Sequence, residues 1–237
     1  MENLKDVILS IIFPDTCIGC GKAVAKSEFI CSRCDGKIDY INTAFKCSTC
    51  LRQLSDNKNK ICGYCLSQKL HYSRLISCLK YEGSARRMLK MYKFHNRPDL
   101  HLGFSKLACE KLEYDGIFFD AVVPVPISKN TFLERGYNQS ALVAKRIAQY
   151  FDVPYYEDLL VKIKETEKQS ELSYKERKRN VKGAFDIHNP ERINNSTILL
   201  VDDIFTTGFT MEENAKMCSS YCDEIIAFTI ARGYLDK

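Results

Sequence analysis

Eight cysteines fall within residues 17–65, always as C-x2-C pairs: Cys17/Cys20, Cys31/Cys34, Cys47/Cys50 and Cys62/Cys65. They form C-x2-C-x10-C-x2-C followed by C-x2-C-x11-C-x2-C. Two thiolates three positions apart on a tight knuckle can address one tetrahedral ion, and a second knuckle across a hairpin completes four sulfurs. Gly19, Gly21 and Gly63 suit the turns of such knuckles. Residues 15–66 carry few large apolar side chains, so burial alone cannot hold a fold and metal must supply the missing free energy. Two zinc ions, each held by four cysteines paired in chain order, are the favoured arrangement. A cross-braced set would use the same eight ligands in another order, and one intact site beside a vacated one is a further alternative. Disulfides are the competing chemistry. A reducing compartment and the oddity of four redox pairs in one small region argue against them. A structural zinc site keeps no open coordination position, so a scaffold or docking surface is expected here, not a catalytic centre.

The other four of the twelve cysteines read differently. Cys78 and Cys109 are isolated and suit small buried positions. Cys218 and Cys222, four apart on an expected helix, lack partner ligands and read as packing residues.

The chain has 237 residues, 45% of them hydrophobic, which allows one large domain or a medium one with a small companion. A net charge of +5 suits an anionic partner such as nucleic acid or a phosphorylated metabolite. No apolar run approaches the roughly 20 residues needed to span a bilayer, so no membrane insertion is expected. The stretch from Val7 to Phe13 reads as a short helix ending before Pro14. It lacks a basic leader and a cleavage site, which points away from secretion and toward a cytoplasmic location.

The expected organisation is an N-terminal helix plus double ribbon over residues 1–74 and an α/β domain over 75–237. In the second part, SRLISCLKYE suits a strand, GSARRMLKMYKFHNRPDL and HLGFSKLACEKLEY suit helices, and Ala121–Val123 is an apolar strand stopped by prolines. NQSALVAKRIAQYF is an amphipathic helix with Asn138 as a cap. STILLVDD, GFTMEENAKMCSSYC and DEIIAFTIARG complete a strand–helix–strand unit. Such alternation indicates a mostly parallel sheet with flanking helices. Between Asp152 and Asn195 the pattern weakens into a charge-dense stretch, either a solvated connection or a loop that closes on an anion.

Residues 198–210 read ILLVDDIFTTGFT. In an open parallel sheet, ligands sit beyond the carboxyl ends of the strands. The turn after the strand brings backbone N–H groups and the hydroxyls of Thr206, Thr207 and Thr210 toward an anion at a helix start, and Gly208 permits close approach. It is neither a Walker A loop nor G-x-G-x-x-G. Asp202 and Asp203 do not suit a phosphate, but carboxylates accept from sugar hydroxyls and tolerate magnesium. A ribose carrying a 5-phosphate satisfies both halves. Lys90, Tyr92, Lys93, Phe94 and Arg97 interleave basic and aromatic residues, as do Arg135 and Tyr137, a combination found in single-strand binders. A helix with one packed aromatic side and one solvated basic side would give the same spacing.

V-D-D-x-x-T-T-G-x-T after an apolar strand resembles the phosphoribosyl pyrophosphate signature of type I phosphoribosyltransferases. Phe205 and Phe209 are bulkier than that family's usual choices. The wider order is four C-x2-C pairs, Lys93-Phe94, VPVP at 123–126, RGYNQS at 135–140, T-x-x-Q-x-x-L from Thr166 and R-x-x-N-V-x-G-A-F from Arg177 to Phe185. Over nearly the whole chain this order resembles the ComF/GntX family. The resemblance implies a type I phosphoribosyltransferase fold, a mostly parallel sheet with flanking helices, preceded by a small double zinc ribbon. It implies a cytoplasmic bacterial protein of natural transformation, acting on incoming single-stranded DNA in concert with a competence DNA helicase. It also implies that Asp202 and Asp203 hold the ribose hydroxyls and magnesium, and that Thr206, Thr207, Gly208 and Thr210 hold the 5-phosphate of phosphoribosyl pyrophosphate. Lys93, Arg135, Gln139 and Arg177 are candidates for pyrophosphate or DNA. No residue stands out as a catalytic acid or base. The alternatives are an active magnesium-dependent phosphoribosyltransferase of nucleotide salvage and a pure binding module.

Overall fold

The computed structural model describes residues 16–25, 28–55, 60–167 and 173–234. The expected helix over Val7–Phe13 lies outside the described residues. The cysteine-rich part contains two short helices, α1 (Ser32–Asp35) and α2 (Gly63–Ser67), each starting directly after a cysteine. The remainder runs β1 (Arg74–Lys80), α3 (Gly83–Phe94), α4 (His101–Tyr114), β2 (Ala121–Pro124), α5 (Lys129–Arg135) and α6 (Gln139–Phe151). It continues with β3 (Leu160–Lys162), α7 (Tyr174–Val181), β4 (Phe185–Ile187), β5 (Thr197–Phe205), α8 (Phe209–Cys218) and β6 (Glu224–Arg232).

Four strands form one parallel sheet in the order β1-β6-β5-β2. Strands covered on both faces must be apolar throughout, and Ile198 to Val201 in β5 are all fully buried. One face packs on α3, α4 and α6 through Met88, Phe104 and Ile147 against Leu199, Val201 and Phe228. The other packs on α8 through Met211 and Ala215 against Ile198 and Leu200, joined by Ile41 and Leu51 from the cysteine-rich part. Each such fully buried side chain contributes about 1.5–3 kcal/mol. Cys78, Cys109 and Cys218 are buried in these layers, as small packing residues should be.

Both margins of the sheet are hydrogen-bonded to the chain's own loops. Along β1, Ile41 N–H donates to Cys78 at 2.8 Å, Lys80 N–H to Asp39 at 2.8 Å and Leu75 N–H to Ser48 at 2.9 Å. Along β2, Val122 N–H donates to Pro154 at 2.9 Å, and Tyr156 N–H donates back to Val122 at 3.0 Å.

Three segments differ from expectation. The helix begun at Gly83 stops at Phe94, not Leu100. Asn96 turns left-handed (φ 48°), and Pro98, which restrains the residue before it, opens a separate 3-10 turn. Helix α5 arises where none is expected. Ser128 caps it by accepting from Thr131 N–H at 3.2 Å, and left-handed Gly136 (φ 79°) ends it. Among the described residues, the charged stretch after Asp152 contains regular elements. Strands β3 and β4 pair antiparallel, and α7 opens on a capping box in which Ser173 N–H donates to Glu176 at 2.8 Å.

Candidate functional site

The cysteines gather in chain order into two sets, Cys17/Cys20/Cys31/Cys34 and Cys47/Cys50/Cys62/Cys65, the sulfurs of each lying within 4.8 Å of one another. Backbone N–H groups of Gly19 and Cys31 donate to Cys17 Sγ, and that of Cys62 donates to Cys47 Sγ, each at 3.3 Å. Such bonds stabilise thiolates over thiols, and hydrogen bonding from Cys65 pulls Cys50 down to about 5. Four converging, partly ionised sulfurs with no oxygen donor fit zinc. All twelve cysteines are free thiols.

The acid pair sits where adjacent strands send their following helices to opposite faces. Helix α6, after β2, lies on one face, and α8, after β5, on the other. The crevice between the carboxyl ends of β2 and β5 is therefore the topological switch point, where open α/β sheets bind ligands. Strand β5 does not end at the pair as expected. It continues to Phe205 because β6 runs beside it to Arg232. On the opposite flank β2 stops at Pro124, opposite Val201, so Asp202 borders the crevice.

Side chains from two helices meet the pair. Ser140, in the first turn of α6, donates from Oγ to Asp202 Oδ1 at 3.0 Å, and Asp203 N–H donates to the same oxygen at 2.8 Å. Lys93 Nζ, from the end of α3, lies 2.8 Å from Asp203 Oδ2. Burial, reinforced by the Asp203 charge and opposed by Lys93, pushes Asp202 up to about 7. Asp203 is buried.

The turn that follows is built around Gly208, which is left-handed (φ 84°). A Cβ there would stand 2.4 Å from Phe205 Cζ, so the loop lies directly on the Phe205 ring. Thr206 and Thr207 form the bend, and Thr210 belongs to the first turn of α8. The first N–H groups of a helix have no intrahelical acceptor, and its dipole favours an anion there. Asp202, Thr206, Thr207, Gly208 and Thr210 together line a small hollow. A wider cleft between Phe29, Tyr40 and Lys106 is lined in part by Cys31 of the first cysteine set and shares no residue with that hollow.

The remaining candidates separate. Arg135 stacks over Phe94, 5.4 Å from the ring centre, and its Nη1 donates to Gln139 Oε1 at 2.6 Å. Burial lowers its pKa while the Asp203 charge opposes that shift, placing this cation in the field of the acid pair. Gln139 is itself buried and orients Arg135. Arg177 lies on α7, three residues beyond Tyr174, whose ring meets Phe209 at 5.0 Å. Tyr92 is fully buried and donates to the Gln139 carbonyl at 2.9 Å, whereas Phe94 is 62% exposed. The aromatic spacing on α3 therefore serves packing at Tyr92 and surface at Phe94. Sequence reasoning missed Ser140, although RGYNQS ends on it, and Arg232, which only three-dimensional contact reveals.

Among the described residues no helix is long and apolar enough to cross a membrane. Residues 8–69 match the double zinc ribbon domain, and residues 137–232 match the phosphoribosyl transferase domain. Competence protein F of Haemophilus influenzae is 27% identical over 86% of this chain and 97% of its own length. DNA utilization protein YhgH of Salmonella typhimurium is 28% identical over 66% of this chain and 70% of its own. Competence protein ComFC of Bacillus subtilis is 28% identical over 80% of this chain and 77% of its own. The chain thus joins a stretch that matches the double zinc ribbon domain to a stretch that matches the phosphoribosyl transferase domain, and it is similar in sequence to the competence protein F, ComFC and YhgH proteins.

Proposed function

We propose that the crevice at the ends of β2 and β5 binds phosphoribosyl pyrophosphate with magnesium, and that the protein handles incoming single-stranded DNA in the cytoplasm during natural transformation. The ligand reading rests on one observation, two aspartates followed after two further strand residues by a Thr-Thr-Gly turn at the start of α8. Asp202 and Asp203 take the ribose hydroxyls and magnesium. Thr206, Thr207, Gly208, Thr210 and the adjacent N–H groups take the 5-phosphate. Magnesium offsets the pyrophosphate charge, and Arg135 and Lys93 are the protein cations on that side. In this reading residues 1–74 form the docking part and 75–237 the ligand-binding domain.

The DNA role is supported by the names of the relatives, by the basic balance of the chain and by exposed Phe94 beneath Arg135. A competence helicase is the partner this role requires. Calorimetry with phosphoribosyl pyrophosphate and magnesium tests the site. Binding is expected, at least tenfold weaker in the double variant Asp202→Asn/Asp203→Asn, and an inert wild-type protein would refute the ligand. For the DNA role, a deletion strain that transforms normally would refute it.

One observation favours turnover as a second reading. Asp202, held near 7, can exchange a proton with an acceptor base at neutral pH. Pyrophosphate release with a panel of bases separates the two readings, and a flat response across the panel leaves binding alone.

A further inference from the structure

Arg232 ends β6 and is 5% exposed. Its Nε donates to the carbonyl of Cys50 at 2.9 Å. Its Nη1 donates to the carbonyls of Phe205 and Thr206 at 3.2 and 2.8 Å, and to that of Gly233. The guanidinium also lies 4.8 Å from the centre of the Phe205 ring, the ring on which Gly208 rests. One buried cation thus joins a knuckle of the second cysteine set to the start of the ribose-phosphate loop. Among the described residues it has no carboxylate partner. Carbonyls offset a buried charge only in part. Four thiolates around one divalent ion carry a net charge of about −2, which complements it.

The far shoulder of the loop is tied to the same cysteine set by another route. Tyr64, between Cys62 and Cys65, lies hydroxyl to hydroxyl with Tyr174 at 3.1 Å, and the Tyr174 ring meets Phe209 edge-on at 5.0 Å. Glu212 of α8 accepts from His71 N–H at 3.1 Å, just beyond the second ribbon. The first cysteine set packs elsewhere, through Ile18 into the core beside Phe104 and Leu107 of α4.

We propose that the second cysteine set shapes the ribose-phosphate loop through Arg232 and Tyr64, so that metal in this set governs ligand binding while metal in the first does not. Arg232 is in this sense a positioning residue. The proposal rests on the ribose-phosphate reading only for the identity of the ligand. The mechanical link stands on the contacts themselves.

The test uses the full chain and reads amide hydrogen exchange over residues 205–210 together with zinc content and phosphoribosyl pyrophosphate binding. Arg232→Met with both metals retained is expected to exchange at least tenfold faster at 206–210 and to bind at least tenfold more weakly. Arg232→Lys, which keeps the charge, is expected to restore part of both. Cys20→Ser, which disables the first set, is expected to leave both within twofold of wild type. Unchanged loop protection in Arg232→Met, or equal loosening in Cys20→Ser, overturns the proposal. If Arg232→Met fails to fold, chelator titration of Cys20→Ser replaces it, since the remaining metal then occupies the second set. Loop protection must fall with that metal, and protection that persists at zero metal overturns the proposal. A wild-type protein that binds no phosphoribosyl pyrophosphate removes that ligand while the exchange readout still decides the coupling.

Discussion

Lys93 Nζ reaches from the end of α3 to within 2.8 Å of Asp203 Oδ2 and so places a cation beside two adjacent carboxylates. Lys93 is largely covered and Asp203 is buried, which makes the pair more than a surface ornament. Lys93→Met removes the cation in direct contact with the acid pair. The variant is expected to lose about 2 kcal/mol in the absence of magnesium, as partly buried pairs do when one partner goes. Magnesium should return part of that loss, so melting curves with and without the ion measure the effect. An unchanged melting temperature without magnesium would show that Lys93 carries no charge-balancing role.

Asp202 titrates near 7 in the fold and near its ordinary 3.8 when unfolded. Between those values the native state holds the additional proton, so this residue's contribution to stability falls as pH rises from about 4 to 7. Asp202→Asn keeps an acceptor for Ser140 and Asp203 N–H and removes the ionisation. It should be more stable than wild type at pH 8, by a margin on the order of 2 kcal/mol, and equal to it at pH 4. Denaturant midpoints at the two pH values decide this, and a pH-independent difference would contradict it.

Gly208→Ala sets a side chain on a left-handed backbone, 2.4 Å from the Phe205 ring. The strain costs about 1–3 kcal/mol and must displace either the loop or the ring. Ligand affinity is expected to fall by more than tenfold while zinc binding by the two cysteine sets is unchanged. Retained affinity would show that the hollow does not hold the 5-phosphate.

Phe94 is 62% exposed and carries Arg135 over its face. Stacking of one base on an aromatic ring is worth about 1–3 kcal/mol. Phe94→Ala should weaken single-stranded DNA binding by roughly tenfold without altering the melting temperature. The salt dependence should stay the same, because phosphate contacts are untouched. Anisotropy titrations at two salt concentrations check both points, and unaltered affinity would move the DNA path away from α3.

What the sequence made legible was local. Cysteine spacing sorted the eight ligands into two sets because each knuckle is a contiguous turn. The acid pair and its threonines were readable because strand, turn and helix follow one another within thirteen residues of chain. Helix α5 carried readable signals, Ser128 at its start and Gly136 at its end, that a short charged segment obscured. Arg232 was illegible for a different reason, since its partner Cys50 lies 182 positions away. Phe205 and Phe209 looked like departures from a familiar pattern. In the fold they are the shoulders on which the loop rests, a role set by Arg232 and Tyr174 and not by their neighbours in sequence.

The bonds from Asp39, Ile41 and Ser48 along β1, and from Pro154 and Tyr156 along β2, have a consequence for assembly. Both outer strands already have intramolecular partners along much of their length. A strand from another molecule finds few free donors or acceptors to extend the sheet, which guards against edge-to-edge aggregation. At this sheet a partner must therefore recognise side chains on the helices, the loops or the cysteine-rich part, through surface shape and charge rather than by lengthening the ladder.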